Sequence, residues 1–233
     1  MRKIILFTTL FFTLSSVAVA AYKHQTIASV MIAHSGFVEI QKNIFISANT
    51  TTQQRKNLLA LIEKAKKRIN NKYGGFTATP IIISSNDMDK LKPYISNSYG
   101  ATHFTLSNAY TIIGPDGQNL DVISHELVHA EIFKRIGYFK RWVNLPVWFD
   151  EGVAMQVDTR KAYNDPPQNI RINSLKYGWQ FFRGNQTSHY ALVKNEIKKW
   201  LETAGDTAPY ELLSNMNNGV SFNNAYSKFK EVK

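Results

Sequence analysis

The segment HELVHAEIF, at residues 125–133, constrains the fold most, because it places two histidines four positions apart with a glutamate after the first. On an α-helix, residues four apart differ by about 40° around the axis, so His125 and His129 would present their rings on one face. Catalytic zinc sites use three protein ligands, often imidazole nitrogens, and leave one position open. The segment therefore predicts a helix that carries two ligands of a zinc ion.

The glutamate of the segment has a separate predicted role. Glu126 lies about 100° from His125 around the same helix, beside the ligand face but not on it. This position suits a general base that acts on water activated by the metal. The alternative is an ordinary surface or core helix whose histidines bind nothing.

A third ligand is expected from the stretch PVWFDEGVA, which begins at Pro146. Proline suits the first turn of a second helix, and a connection at residues 137–145 would reverse the chain. The outward and return paths nearly match at 1.5 Å per residue, so Glu151 would arrive opposite the histidines. Asp150, about 100° around this helix, is the rival ligand. We expect Glu151, because Gly152 beside it would let the helix approach the metal closely.

The rest of the chain predicts the α+β class. Residues 50–71 place apolar side chains at helical spacing, with basic residues between them. TPIIIS predicts a buried strand, and ATHFTLSNAYTIIG a strand or hairpin. Further helices are predicted over residues 119–136, 146–157 and 188–203 and in the tail. We expect a small, mostly antiparallel sheet packed against a helical part.

The N-terminus has the order of a secretory signal. Two basic residues precede the apolar run Ile4–Leu14, and an A-x-A site ends at Ala20. We predict a signal peptide at residues 1–20 and one domain at residues 21–233, periplasmic or secreted. An uncleaved membrane anchor is the competing interpretation, because the uncharged run is close to the length that crosses a bilayer. No later stretch is apolar enough to span a membrane.

The composition excludes two covalent modifications and argues against one class of partner. The chain has no cysteine, which excludes disulfides and a lipid-modified cysteine. The formal net charge is +11, and removal of Arg2 and Lys3 leaves +9. The lysines are scattered and match no nucleic-acid-binding motif, so we expect a basic protein in an anionic cell envelope without a nucleic-acid partner.

The two motifs HELVH, at residues 125–129, and WFDEGVA, at residues 148–154, resemble those of the gluzincin metallopeptidases, the thermolysin-like group also called peptidase MA-like. The resemblance covers residues 119–156 well, extends loosely to the C-terminal helices, and owes little to residues 21–100. It implies a zincin-type core in which zinc is bound by the two histidines of HELVH and by Glu151. It also implies that Glu126 is the general base.

One segment departs from that family. Relatives often carry a tyrosine or histidine there that stabilises the oxyanion, whereas Asn185 stands at the corresponding position. His189 and Tyr190 are the available donors, although composition alone favours Tyr190 as a partly buried packing residue. The aromatic cluster at residues 179–182 is expected to pack in the core, with a substrate pocket as the alternative.

Two functions follow from these patterns. The first is an exported zinc peptidase that cleaves a peptide or protein substrate, which could pair with a strand near residues 110–113. The second is an envelope binding or assembly protein that retains zinc on the same scaffold without activity. Glu126 favours the enzyme, because a structural metal site does not need it.

Overall fold

The computed structural model of the protein describes residues 24–229, so the predicted signal peptide lies outside the described residues. Residues 24–30 are helical. The strands are β1 (Phe37–Gln41), β2 (Ile44–Ser47), β3 (Ile81–Ser84), β4 (Gly100–Phe104) and β5 (Ala109–Ile113). The α-helices that follow are α1 (Thr52–Tyr73), α2 (Met88–Leu91), α3 (Leu120–Asn144), α4 (Val147–Ala154), α5 (Gly178–Phe181), α6 (Gln186–Ala204), α7 (Ala208–Asn217) and α8 (Phe222–Lys228). Short 3₁₀ helices lie at Ile32–His34, Pro115–Gly117, Met155–Val157, Lys161–Tyr163 and Ile172–Leu175.

The sheet has the order β1-β2-β3-β5-β4. The α+β prediction is confirmed, but the sheet is not mostly antiparallel: β1–β2 and β4–β5 are antiparallel, and β2–β3 and β3–β5 are parallel. The parallel pairing of β2 with β3 arises because α1 connects them as a crossover, which returns the chain to the end from which it started. β5 is paired on both sides, so it cannot receive a peptide as predicted. The two edge strands of the sheet are β1 and β4, and β4 is the one next to β5.

Helix α1 forms where the sequence predicts it. Thr51 and Gln54 make a reciprocal capping box at its start, and Gly74, at a φ of 80°, ends it. Its apolar stripe is buried and packs mainly against α3. The members of the stripe are Leu58, Ile62, Ala65, Ile69 and Tyr73.

Helix α3 is the central helix of the fold and carries the HELVH motif. The Asn119 side chain caps it by accepting from the backbone N–H of Val122. Every residue from Val122 to Phe133 is buried, because α1, α4, α7 and the sheet all pack around this stretch. The helix was expected to end before Gly137, and Gly137 does break it with a φ of 74°, but residues 138–144 are helical again. Most of the connection predicted at residues 137–145 is therefore helical.

The C-terminal helices complete the core behind α4. Phe149 of α4 packs against Trp200 of α6 and against Phe222 and Tyr226 of α8. The prediction of one or two helices in the tail is confirmed by α7 and α8. None of the helices within residues 24–229 is long and apolar enough to cross a membrane.

Candidate metal centre

Three buried side chains converge at the middle of α3. The Nε2 atoms of His125 and His129 lie 3.1 Å apart, and Oε2 of Glu151 lies 3.3 Å from the first and 3.4 Å from the second. The candidate ligand atoms all lie within 4.8 Å of one another. This group could hold a metal ion. The structure brings Glu151, and not Asp150, into it.

The distances within the group match those expected around one small cation. At ligand bond lengths of about 2.0–2.1 Å, two corners of a coordination tetrahedron lie roughly 3.3 Å apart. Oε2 of Glu151 is buried and has no hydrogen-bond partner in the described part of the chain. A buried carboxylate oxygen without a donor is costly, and a cation at the centre of the group would satisfy it.

The histidines and carboxylates in and beside the group shift one another's pKa. Burial alone would lower the pKa of His129, but the carboxylates of Glu151 and Asp150 outweigh it and raise that pKa well above its usual value. Burial likewise opposes ionisation of Glu151, yet His129 and His125 keep its pKa well below the usual range. The site thus favours an ionised carboxylate and a positive charge beside it.

Asp150 has a different place from the one considered as an alternative. Its Oδ1 lies 2.7 Å from Nδ1 of His129, on the side of the ring that faces away from the group. Its other oxygen forms an ion pair with Arg141, which also lies over the ring of Phe104. This arrangement fixes the ring of His129 so that Nε2 points into the group. In contrast, Nδ1 of His125 has no partner among the described residues.

Glu126 lies beside the metal group, as the helical spacing predicted. Its side chain is buried, and its Oε2 accepts a hydrogen bond of 2.9 Å from the hydroxyl of Thr102 on β4. The helix and the strand approach closely here, since a Cβ on Gly100 would lie 3.1 Å from Cγ of Glu126. The edge strand therefore holds the candidate base in position.

The two candidate donors have different surroundings. His189 is buried, with its Nδ1 2.6 Å from the carbonyl oxygen of Phe181, and it packs on the Phe181 ring. The ring of Tyr190 instead contacts His125, at 5.9 Å between centroids. Burial, reinforced by the charges of Glu151 and Glu126, raises the pKa of Tyr190 well above its usual value. Of the two, only Tyr190 is placed beside the metal group, as a neutral phenol.

Gly152 serves a purpose other than the predicted one. A Cβ at this position would lie 2.5 Å from Cγ1 of Ile197 and 2.9 Å from the carbonyl oxygen of Val193, both on α6. The glycine therefore permits close packing of α4 against α6. Glu151 depends on this packing indirectly, because it fixes the position of α4.

Sequence reasoning did not find Thr102 or Arg141 as parts of the site. Thr102 lies 24 positions before Glu126, and Arg141 reaches Asp150 only because the chain turns between α3 and α4. Neither residue belongs to a motif. The signal that placed Thr102 on a predicted strand was the mixture of alternation with β-branched and aromatic residues in ATHFTLSNAYTIIG.

Comparison of the chain with known protein families and with curated proteins finds no match. The likeness to gluzincin metallopeptidases therefore rests on the motifs HELVH and WFDEGVA alone.

Proposed function

We propose that the protein is an exported zinc-dependent peptidase, with His125, His129 and Glu151 as zinc ligands and Glu126 as the general base. The observation that carries the proposal is the placement of Glu126, which is buried beside the metal group without being part of it. Burial of a carboxylate costs free energy, and a structural metal site gains nothing from this one. A base that acts beside the metal needs this position.

The donor set supports zinc as the metal. Two imidazoles and one carboxylate form an established ligand set of catalytic zinc. The hard cations Ca²⁺ and Mg²⁺ prefer oxygen ligands throughout, and the chain has no thiolate for the softer metals. When bound, zinc would supply a Lewis acid and an open coordination position.

The side chains around the group suit hydrolysis of an amide. Glu126 would take a proton from the attacking water onto its carboxylate and pass it to the leaving amine. Thr102 would keep that carboxylate oriented through the hydrogen bond that it donates. Tyr190, which is held neutral by its raised pKa, would donate a hydrogen bond from its hydroxyl to the negative charge that develops on the carbonyl oxygen.

The substrate is proposed to be an extended peptide or protein segment. β4 is one of the two edge strands of the sheet, and its residue Thr102 contacts Glu126. An extended chain can add to such an edge through main-chain hydrogen bonds. These bonds recognise the extended backbone and do not depend on the side chains of the peptide. A peptide bound along β4 would pass close to Glu126.

The second candidate is an envelope binding or assembly protein that retains zinc. The side chain of Asn185 caps α6 by accepting a hydrogen bond from the backbone N–H of Ser188. A helix cap thus occupies the position at which relatives often carry the oxyanion donor. If Tyr190 only packs against His125, the site would bind metal without catalysing hydrolysis.

Replacement of Glu126 by glutamine separates the two functions. Glutamine has nearly the same shape but cannot accept the proton, so zinc content should persist while hydrolysis falls by roughly 10²- to 10⁴-fold. The measurement is digestion of a broad peptide library, read by mass spectrometry, alongside metal analysis of the same samples. Glu202→Gln, an exposed change on α6, is the matched control and should cleave at the wild-type rate.

Two other results would decide against the proposal. Cleavage by Glu126→Gln as fast as by the wild type would mean that the base is another residue. If neither protein cleaves any peptide although both bind zinc tightly, the binding function is the better account.

A further inference from the structure

Two aromatic segments lie on the surface near the metal group. The first comprises residues 138–144, where Trp142 is 75% and Phe139 66% exposed. The second comprises residues 176–183, where Trp179 is 69% exposed and Phe182 also projects from the core. The expectation that the cluster at residues 179–182 packs inside is therefore correct for Phe181 and wrong for its neighbours.

The exposure of the first segment follows from the backbone. Gly137 breaks α3 with its positive φ and redirects the last two turns. Phe139, Trp142 and Val143 then stand at positions i, i+3 and i+4, which share one face of the helical turn. That face is an apolar stripe that no residue of the described core covers.

The two segments meet next to α4. The backbone N–H of Val147, three residues after the first segment, donates to the carbonyl oxygen of Lys176 at 2.9 Å, which ties the start of the second segment to the start of α4. Phe181, in the second segment, contacts Tyr190, and Arg141, in the first, pairs with Asp150. Both segments thus border the candidate metal centre.

Along the chain, both segments carry basic residues and no acidic residue. The sequence has no acidic residue between Glu131 and Asp150, and none between Asp165 and Glu196. These two intervals contain eight cations. Arg135 and Arg141 pair with Glu131 and Asp150, and the other six are Lys134, Lys140, Arg171, Lys176, Arg183 and Lys194. We call the two segments, with their cations, the aromatic-basic surface.

We propose that the aromatic-basic surface docks the protein peripherally on a bilayer that contains anionic phospholipids. Tryptophan and tyrosine favour the boundary between headgroups and acyl chains, and lysine and arginine are attracted to anionic headgroups. A second copy of the chain is a poorer occupant, because a symmetric contact would bring like charges together. Docking would hold the metal centre close to the membrane surface.

Sedimentation with large unilamellar vesicles tests the proposal. The protein used begins at Ala21, a form that keeps every residue of the described core and lacks the apolar N-terminal run. It should bind vesicles that contain phosphatidylglycerol and bind phosphatidylcholine vesicles far more weakly.

Trp142→Ala combined with Trp179→Ala should lower partitioning about 10-fold or more. Lys176→Gln combined with Arg183→Gln should lower it about 25-fold, since each cation near the surface contributes roughly five-fold.

Matched changes on β1, in the turn after it and on α1 serve as controls. Val38→Ala on β1, and Lys42→Gln combined with Lys56→Gln, also remove exposed apolar or basic groups but lie outside the aromatic-basic surface. They should leave partitioning within about two-fold of the wild type, and thermal unfolding should be unchanged in all variants, as expected for exposed positions.

Three outcomes would overturn the proposal. One is the absence of binding to anionic vesicles, and another is equal loss of binding in the control variants. The third is a dimer in solution that Trp142→Ala dissociates, which would assign the surface to a second copy. None of these measurements depends on peptidase activity, so failure here is distinct from failure of the proposed function.

Discussion

Asp150 and His129 form a buried pair in which Oδ1 of the aspartate lies 2.7 Å from Nδ1 of the histidine. The pair joins two helices, since His129 belongs to α3 and Asp150 to α4. It leaves Nε2 of His129 facing His125 and Glu151. Asp150, the alternative to Glu151 as third ligand, thus orients His129, one of the candidate ligands.

Asp150→Asn is therefore expected to weaken metal binding without abolishing it. Loss of the carboxylate behind a metal-binding histidine typically costs about 10- to 100-fold in affinity. Competition with a chelator of known affinity measures the change. Asp165→Asn, at an exposed position, is the control and should bind metal as the wild type does. Complete loss of metal from Asp150→Asn would instead make Asp150 a ligand.

Gly152→Ala is expected to destabilise the fold. The added Cβ would lie 2.9 Å from a backbone oxygen of α6, which cannot move aside as a side chain can. Overpacking of this kind costs about 1–3 kcal/mol, which chemical denaturation would detect. Gly36→Ala is the control, because nothing lies within 4 Å of its Cβ position. Unchanged stability in Gly152→Ala would contradict the packing described for α4 and α6.

Glu131→Gln is expected to destabilise the protein more strongly than a surface change. The fully buried carboxylate of Glu131 accepts hydrogen bonds from the backbone N–H groups of Thr77 and Ala78, from the Thr77 hydroxyl and from Nε of Arg135. An amide would turn its NH₂ group toward some of these donors, at a cost on the order of 3 kcal/mol. Glu63→Gln, in an exposed pair with Lys66, should cost at most about 1 kcal/mol. Equal denaturation midpoints for the two variants would argue against this role of Glu131.

The elements that the sequence predicted well are those with a local cause. The stripe of α1 repeats at helical spacing, and the HELVH spacing places both rings on one face of α3 whatever surrounds them. Glu151 could be placed because the distances along two antiparallel helices nearly cancel. These inferences need only the geometry of a helix.

The features that were missed depend on contacts between distant segments. The parallel pair β2–β3 requires the crossover through α1, and the parallel pair β3–β5 requires the connection through α2 and β4. No strand pattern encodes either connection. The close contact of Gly152 with α6 depends on Ile197, 45 positions away. Trp179 and Phe182 look like core residues in the sequence, and only the packing around Phe181 determines which ring is buried.

Metal analysis of the purified protein tests the central claim most directly. Wild-type protein should contain one zinc ion per chain, and Glu151→Ala should lose most of it, because a site with three protein ligands cannot lose one cheaply. His125→Ala and His129→Ala should behave in the same way, while Glu126→Gln should keep its zinc. Wild-type protein that takes up no zinc, or full zinc occupancy in Glu151→Ala, would contradict the account.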